Sequence, residues 1–431
     1  MKKIHFVGIG GIGLSALASY LKKENYIVSG SDKSETKITK CLREEGIKVS
    51  VPHSCESINN QTLVIYSAAI KDDNVELVEA RKRGIIVLSR KDALKFILKD
   101  KRVFSVAGAH GKSTTSAILA SMVDGSVIIG AESKQFDTNM FYRQSKTIIF
   151  EADESDSSFL NSNPYVAIVT NAEPEHMEYY NYDYDKFYDA YRTFLNSATV
   201  RVINAEDKFL STLNDMEAIR LYPSRDITEL KTIIKNGEPY ISFILKDLGH
   251  FEVCGIGEHV ALDASLAILA SINEIDLESA REKIKNYRGI RKRFDVLAKQ
   301  DNYILIDDYG HHPTEIKATM KSAKTYANLL NLNKIIAIWQ PHKYSRTIDN
   351  LNEFVECFSG VDELIIMPVW DAGETKQKID FAKKFKKYKL EFTNNIKRVD
   401  DFIDLDNLKK LDSGLVIGFG AGDITYQLRG A

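Results

Sequence analysis

The residues best suited to chemistry in this sequence are Gly108-Ala109-His110-Gly111-Lys112-Ser113-Thr114, which lie between a predicted strand and a predicted helix. In such a glycine loop, backbone N–H groups surround phosphate oxygens and the lysine balances their charge. The Ser113 hydroxyl would reach Mg²⁺. Val106 stands where the motif usually has its first glycine. The lysine placement still favours a nucleoside-triphosphate site, because a bare turn has no use for that charge.

A second glycine turn, Gly8-Ile9-Gly10-Gly11-Ile12-Gly13, also follows a predicted strand and precedes a predicted helix, with Asp32 nineteen residues after Gly13. Its glycines let the backbone approach a diphosphate, and the helix N-terminus favours negative charge. Any nucleotide diphosphate satisfies this pattern, so NAD is one candidate among several. A tight turn without a ligand is the structural alternative.

Carboxylates and a histidine follow two further predicted strands of the same region. Glu151-Ala-Asp153-Glu154-Ser-Asp156 follows a strand that ends at Phe150, and His176 lies in the segment after the next strand. Acidic side chains at the carboxyl end of a strand suit Mg²⁺. The alternatives are a solvated acidic loop and, for His176 taken singly, a surface residue.

Polar clusters also follow two strands near the C-terminus, at Asp307–Pro313 and Gln340–Thr347. The basic run Arg288, Arg291, Lys292 and Arg293 is either a solvated face or a group that reaches anionic phosphates. We interpret the glycine turn at 418–423 as a structural strand-to-helix connection.

The elements that would position these residues alternate between short apolar runs and amphipathic stretches, which is typical of an α/β fold with parallel sheets. The sequence therefore predicts three α/β domains, at residues 1–99, 100–288 and 289–431, with a charged linker at 99–102. Predicted strands lie at 4–7, 26–30, 62–66, 85–88, 103–106, 147–150, 166–169, 303–306, 334–338, 363–367 and 415–418, with a β-rich stretch at 231–254. Predicted helices lie at 13–23, 34–45, 74–83, 91–98 and 112–122, with further helices between 258 and 285.

Composition excludes several classes of protein. The 431 residues include 58 Lys plus Arg and 60 Asp plus Glu, a net charge of −2 that gives no global attraction to nucleic acid or acidic membranes. The longest apolar runs are too short to cross a bilayer, and the N-terminus lacks the apolar core of a signal peptide. The four cysteines have no paired spacing. We expect a cytoplasmic protein without nucleic-acid partners or membrane insertion.

These motifs, in this order and over essentially the whole chain, resemble those of the Mur ligase family. The resemblance implies a Rossmann-like N-terminal domain that holds a UDP-sugar, a central P-loop ATPase-type domain and a C-terminal Rossmann-like α/β domain. It implies an ATP- and Mg²⁺-dependent ligase that joins L-alanine to the lactyl carboxylate of UDP-N-acetylmuramate in peptidoglycan synthesis. The first glycine turn would then serve a UDP diphosphate, which removes the need for NAD.

The resemblance also assigns site residues. Catalytic roles fall on Lys112, Glu151, His176 and Arg346, and metal-binding roles on Ser113, Glu151 and His176. ATP would contact Gly108, Ala109, His110, Gly111, Lys112, Ser113, Thr114, His259, Arg291 and Asp307. The UDP-sugar would contact Gly10, Gly11, Ile12, Ser31, Asp32, His53, Ser67, Ala68 and Arg90. The amino acid would contact Tyr309, His311, His342, Lys343 and Arg346.

Three positions depart from the family pattern. Val260 and Asp263 replace two asparagines of the segment that contacts adenine, and Lys343 replaces an arginine of the amino-acid loop. No residue equivalent to the carbamylated lysine of related ligases is assigned. A ligase that recycles a tripeptide onto the same sugar remains an alternative, as do an NAD-dependent oxidoreductase and a nucleotide-binding regulator without catalysis.

Overall fold

The computed structural model describes residues 2–430 and divides into two compact units. Among the described residues, the first unit comprises 2–228, 244–251 and 262–287, and the second comprises 229–243, 252–261 and 288–430. No helix within residues 2–430 is long and apolar enough to span a membrane.

The chain begins with a five-stranded parallel sheet in the first unit. Its strands are β1 (Lys3–Val7), β2 (Ile27–Ser31), β3 (Lys48–Ser50), β4 (Leu63–Tyr66) and β5 (Ile86–Ser89), in the order β3-β2-β1-β4-β5. Its helices are α1 (Ile12–Lys23), α2 (Lys37–Glu44), α3 (Val75–Lys82) and α4 (Arg90–Ile97). All pairs in this sheet are parallel, so the carboxyl ends of the five strands share one edge.

A seven-stranded sheet follows in the same unit. Its strands are β6 (Arg102–Ala107), β7 (Ser126–Ser133), β8 (Thr138–Phe141), β9 (Thr147–Glu151), β10 (Pro164–Val169), β11 (Val200–Asn204) and β12 (Ile219–Leu221), in the order β12-β11-β10-β6-β9-β7-β8. The helices of this stretch are α5 (Lys112–Met122), α6 (Tyr184–Asn196) and the single turn α7 (Pro223–Asp226). Because β6 lies between β10 and β9, the loops after these three strands are neighbours.

A three-stranded sheet of β13 (Ile227–Lys235), β14 (Glu238–Leu245) and β15 (Gly249–Cys254) comes next. Two helices, α8 (Glu258–Ser271) and α9 (Leu277–Ile284), complete this part of the chain. The buried face of α9 contacts α5, which carries the Lys112 loop at its N-terminus.

The second unit contains a six-stranded sheet. Its strands are β16 (Asp295–Gln300), β17 (Tyr303–Asp308), β18 (Ile335–Trp339), β19 (Glu363–Ile366), β20 (Leu390–Phe392) and β24 (Gly414–Phe419), in the order β16-β17-β24-β18-β19-β20. A small antiparallel sheet comprises β21 (Ile396–Val399), β22 (Phe402–Leu405) and β23 (Lys410–Leu411). The helices are α10 (Pro313–Leu329), α11 (Tyr344–Asp349), α12 (Leu351–Cys357), α13 (Phe381–Lys384) and α14 (Ile424–Leu428).

The predicted strands and helices are confirmed, with boundaries that shift by a few residues. The largest helix difference is α2, which begins at Lys37 because the Thr36 side chain caps it, rather than at the predicted Ser34. Several short or edge strands were missed. For example, β11 (Val-Arg-Val-Ile-Asn) and β12 (Ile-Arg-Leu) are short apolar runs interrupted by arginine, and their places in the sheet depend on the pairing of β11 with β10 and of β12 with β11.

Candidate active site

The loop between β6 and α5 has the geometry of a phosphate-binding loop. Gly108 has φ +139° and Gly111 has φ +82°, and both are positive angles that side chains strain to adopt. A Cβ atom at Gly108 would also overlap Thr170 Oγ1. Gly111 caps α5, so the unpaired N–H groups of the first helical turn face outward beside Lys112. Glycine is therefore required at both positions of this loop.

Lys112 is held by three oxygens. Its Nζ donates to the carbonyl oxygens of Gly108 and Ala109 and, at 3.0 Å, to Glu154 Oε1. Glu154 is only 2 % exposed, and burial raises the pKa of its carboxyl despite the neighbouring lysine charge. The ammonium group is thus anchored beside the loop, where it is available to an incoming phosphate.

Ser113 and Glu151 meet on the other side of this loop. Ser113 Oγ donates to Glu151 Oε2 at 2.8 Å, and the Gly130 N–H donates to the same oxygen at 2.8 Å. One hydroxyl and one carboxylate, completed by water and phosphate oxygens, suit Mg²⁺. Residues 2–430 contain no group of three His, Cys, Asp or Glu side chains able to hold a metal alone. Ser113 and Glu151 therefore fit a Mg²⁺ site that a bound nucleotide would complete.

His176 and His110 lie near the acidic side chains of the loop after β10. His176 has φ +52° and its ring lies 3.9 Å from Glu178. No contact joins His176 to Ser113 or Glu151 in the described chain. His110 donates its backbone N–H to Asn171, and its ring lies 3.4 Å from Glu175 Oε1. The second-metal role of His176 therefore stays a prediction.

Asp263 lies beneath the phosphate-binding loop. Its carboxyl group is 3 % exposed and occupies the space that a side chain at Gly111 would need. Burial raises the pKa of Asp263 well above its ordinary value of 3.8, while Thr115 acts in the opposite direction. Val260 is also buried and packs against Gly255. Asp263 thus supports the loop from below.

The first glycine turn is held by residues at the end of β2. The N–H groups of Gly8 and Ile9 both donate to the Ser31 carbonyl oxygen at 2.9 Å, and the Gly10 N–H donates to Asp32 Oδ2 at 2.8 Å. Asp32 therefore positions the turn directly. Ile12 begins α1 and is 51 % exposed, which leaves the helix N-terminus accessible.

The other residues predicted for the UDP-sugar lie at the same sheet edge. Ser67 and Ala68 follow β4, His53 follows β3, and Arg90 begins α4 after β5. The Arg90 guanidinium packs beside Gly13 and lies 3.8 Å from Asp153 Oδ2. The fold thus brings this predicted set to one edge, and its ligand role stays a prediction.

The residues predicted for the amino acid come together in the second unit, after β17 and β18. The ring centroids of Tyr309 and His311 are 5.4 Å apart, and those of His311 and His342 are 5.9 Å apart. Arg346 Nη1 lies 3.1 Å from His342 Nδ1. Lys343 has φ +68° and donates its backbone N–H to the Trp370 carbonyl oxygen. The sheet order places the glycine turn after β24 between these two loops.

The charge state of this cluster follows from its surroundings. Burial, together with the charge of Arg346, lowers the pKa of His342 to about 4. A neutral His342 accepts the Arg346 hydrogen bond at Nδ1 and carries its proton on Nε2. Burial also lowers the pKa of His311, although Glu315 partly opposes this effect. Two neutral imidazoles beside one guanidinium suit an amino acid whose carboxylate pairs with the cation.

The remaining residues predicted for ATP have different surroundings. Asp307 is fully buried, and its Oδ2 accepts hydrogen bonds from Thr425 and Arg429. Arg291 is half-buried, and His259 is exposed at the start of α8. Their contacts with ATP stay predictions.

Four residues near these clusters were not assigned from the sequence, namely Glu76, Glu154, Arg293 and Glu315. Glu315 accepts the N–H groups of His311 and His312 at 3.0 and 3.1 Å, and Arg293 lies 3.7 Å from Glu315. The basic run and the acidic loop were visible in the sequence. Which residue of each run faces the site depends on the loop conformation. For the basic run, that conformation includes the positive φ of Lys292 and Phe294.

Comparison with known proteins shows matches to three family models along the chain. Residues 3–102 match "Mur ligase family, catalytic domain", residues 106–229 match "Mur ligase middle domain", and residues 292–420 match "Mur ligase, glutamate ligase domain". A UDP-N-acetylmuramate–L-alanine ligase of Campylobacter curvus is 58% identical, with 100% of both chains covered.

Solved structures show the same fold. A UDP-N-acetylmuramate–alanine ligase from Thermotoga maritima is similar with a TM-score of 0.83 and 28% identity, over 100% of this chain and 98% of that one. A murein peptide ligase from Psychrobacter arcticus has a TM-score of 0.63 at 18% identity, over 99% and 97% of the two chains, and shares the fold alone. With three family domains in order and a full-length relative of this identity, the chain belongs to the Mur ligase family.

Proposed function

We propose that this protein joins L-alanine to the lactyl carboxylate of UDP-N-acetylmuramate and converts ATP to ADP and phosphate. The observation that carries the proposal is the full-length 58% identity to a ligase described by that reaction. The loop Gln340–Arg346, in which the neutral His342 lies between Arg346 and the neutral His311 of the loop after β17, supports a small free amino acid as the acceptor.

The proposed reaction needs activation, because a carboxylate is a poor electrophile. An oxygen of the lactyl carboxylate attacks the γ-phosphorus of ATP, the bond to the bridging oxygen breaks, and an acyl phosphate and ADP result. Lys112 and the N–H groups of the Gly108–Ser113 loop stabilise the transferred phosphoryl group. Glu154 holds the Lys112 ammonium in place, since its carboxyl lies 3.0 Å from Nζ.

The second step forms the amide. The neutral amine of L-alanine adds to the acyl carbon, and the tetrahedral intermediate expels inorganic phosphate as the nitrogen loses a proton. Arg346 would orient the alanine carboxylate through charge-assisted hydrogen bonds. His311, held neutral by burial, donates its Nδ1–H to the Tyr309 carbonyl oxygen, and its Nε2 lone pair would accept that proton.

We infer a requirement for Mg²⁺ held by Ser113 and Glu151. When bound, the ion would draw negative charge away from the phosphate oxygens. The support is the pairing of a hydroxyl and a carboxylate at 2.8 Å beside the glycine loop. A cytoplasmic location also belongs to this proposal, because the expected nucleotide substrates are found there.

Phosphate release separates this function from the alternatives. The purified chain is incubated with ATP, Mg²⁺ and UDP-N-acetylmuramate, and with L-alanine, the tripeptide or neither. We expect sustained release with L-alanine alone. Release only with the tripeptide would identify a recycling ligase, and no release with either would exclude an amide ligase of this kind.

A further inference from the structure

A buried polar network in the first parallel sheet contains Glu76, which has no role assigned above. Glu76 is fully buried, and its Oε2 accepts a hydrogen bond from Ser31 Oγ. Its Oε1 accepts the Ser54 N–H at 3.1 Å. The rings of His53 and His5 lie 3.4 and 3.5 Å from Oε2. Two members, Ser31 and His53, belong to the predicted UDP-sugar set.

The position of Glu76 favours an ionised carboxylate. Glu76 lies in the first turn of α3, two residues after the capping residue Asn74, where the helix dipole stabilises negative charge. Burial alone would raise the pKa of Glu76, but the hydrogen bonds from His5 and Ser31 outweigh it and leave the pKa below its ordinary value. An ionised carboxylate only accepts hydrogen bonds, so every polar neighbour must present a hydrogen to it.

This requirement determines the direction of the next hydrogen bond. A serine hydroxyl has one hydrogen, and Ser31 donates it to Glu76. Ser31 Oγ must therefore be the acceptor in its 2.9 Å contact with His53 Nδ1, and the His53 proton must lie on Nδ1. A neutral His53 then has a lone pair on Nε2. The His53 side chain is 15 % exposed, and Nε2 has no hydrogen-bond partner within residues 2–430.

We propose that Glu76 is a positioning residue of the UDP-sugar site, which acts through Ser31 to hold His53 in the Nδ1–H tautomer with Nε2 as a hydrogen-bond acceptor. The inference rests on the proposed function. The group recognised is an N–H or O–H donor of the nucleotide sugar, such as an imide or a hydroxyl. A phosphate oxygen has no hydrogen to offer at neutral pH and would not bind there.

The first test examines the wild-type protein and uses one variant for signal assignment only. Nitrogen-15 NMR distinguishes Nδ1–H from Nε2–H imidazoles, and a His53→Gln variant assigns the signal. We expect His53 of the wild-type protein to be in the Nδ1–H form. A predominant Nε2–H form would overturn the inference, whether or not the protein is a ligase.

The second test compares Glu76→Gln with Glu79→Gln, a control on the same helix whose carboxylate pairs with Arg83 at the surface. A glutamine amide has one acceptor oxygen and one NH₂ donor, so it cannot accept from all four neighbours. We expect Glu76→Gln to shift His53 toward Nε2–H and to raise the Michaelis constant for UDP-N-acetylmuramate about 10- to 100-fold. The Michaelis constant for ATP and kcat should stay near those of Glu79→Gln.

The outcomes separate this inference from the proposed function. If the wild-type protein does not bind UDP-N-acetylmuramate, the proposed function fails while the tautomer still tests the inference. If UDP-N-acetylmuramate binds with equal strength to the wild-type and Glu76→Gln proteins, the inference fails and the proposed function stands. If Glu76→Gln does not fold, Ser31→Ala removes the same hydroxyl relay, and an unchanged His53 signal in that variant would overturn the inference.

Discussion

Lys112 is the side chain on which the proposed phosphoryl transfer depends most. We expect Lys112→Ala and Lys112→Met, which keeps the aliphatic stem, to lose several orders of magnitude in phosphate release, because charge on the phosphoryl group loses its ammonium partner. The fold should survive, because the raised pKa of Glu154 allows that carboxyl to take up a proton. Lys186→Ala, which removes a lysine at an exposed position of α6, is the control. Near-normal turnover in a folded Lys112 variant would contradict the assignment.

Asp263 predicts a specific dependence of stability on pH. Because its pKa is raised on folding, the protonated form is stabilised, and that contribution is lost as pH rises above the ordinary value of 3.8 toward the folded pKa. Asp263→Asn cannot ionise. We therefore expect the variant to gain melting temperature relative to wild type as pH increases from 5 to 8, with an unchanged or lower Michaelis constant for ATP. An advantage that shrinks with rising pH would contradict this account.

Arg346 and Lys343 should contribute unequally to amino-acid binding. Arginine offers a planar fork to a carboxylate, whereas lysine offers a flexible point charge. Arg346 also contacts His342 at 3.1 Å and helps to keep it neutral. We expect Arg346→Ala to raise the alanine Michaelis constant about 10- to 100-fold, and Lys343→Ala much less.

The same Arg346→Ala variant should raise the pKa of His342 from about 4, because a neighbouring positive charge is removed. Proton NMR titration measures this change. The Michaelis constant for UDP-N-acetylmuramate serves as the control and should change little. An equal rise of the alanine Michaelis constant in Arg346→Ala and Lys343→Ala would show that the two cations share the alanine carboxylate.

At the scale of elements, strand β19 begins with a buried carboxylate that three lysines neutralise. Glu363 is 1 % exposed and pairs with Lys334, Lys389 and Lys409. Burial alone would raise the pKa of Glu363, but hydrogen bonds led by that from Lys409 lower it to about 2. This cluster connects β19 to the segments on either side of it.

We expect Glu363→Gln to reduce the free energy of unfolding by about 1.5 to 3 kcal/mol at pH 7, the usual contribution of charged hydrogen bonds. The wild-type advantage should be present above pH 4.5 and decline as pH falls from 4.5 toward 2, because a lowered folded pKa stabilises only the ionised form. Urea unfolding at several pH values measures it. Glu356→Gln, which breaks the exposed pair with Lys387, should cost much less.

At the scale of the whole molecule, the proposed nucleotide sites belong to separate sheets of the first unit. Binding stabilises the segments that contact a ligand against local opening. Hydrogen-exchange mass spectrometry should show that UDP-N-acetylmuramate slows exchange at 8–13 and 31–32. A non-hydrolysable ATP analogue should slow exchange at 108–115, and L-alanine should be tested at 309–312 and 342–346. Protection of 8–13 by the ATP analogue alone would reverse the assignment of the two turns.

The α/β class, the positions of the two glycine turns and the central strands followed directly from the sequence. Their signals are local, because a buried parallel strand is a short apolar run and a phosphate-binding loop is a run of small residues beside a lysine. The resemblance to Mur ligases used the same local blocks and led to the family that the comparisons show.

Only the tertiary structure decided which polar side chains support the site. Glu76 lies 45 positions from Ser31 and Glu154 lies 42 from Lys112 in sequence, yet each pair shares a hydrogen bond. Asp263 lies against Gly111, although in the sequence it is only an aspartate at a position where the family pattern has asparagine. The sequence determines which residue types are present and which turns they form. Parallel sheets bring the ends of distant strands to one edge, so a buried partner is selected by strand order and helix packing, which no local pattern records.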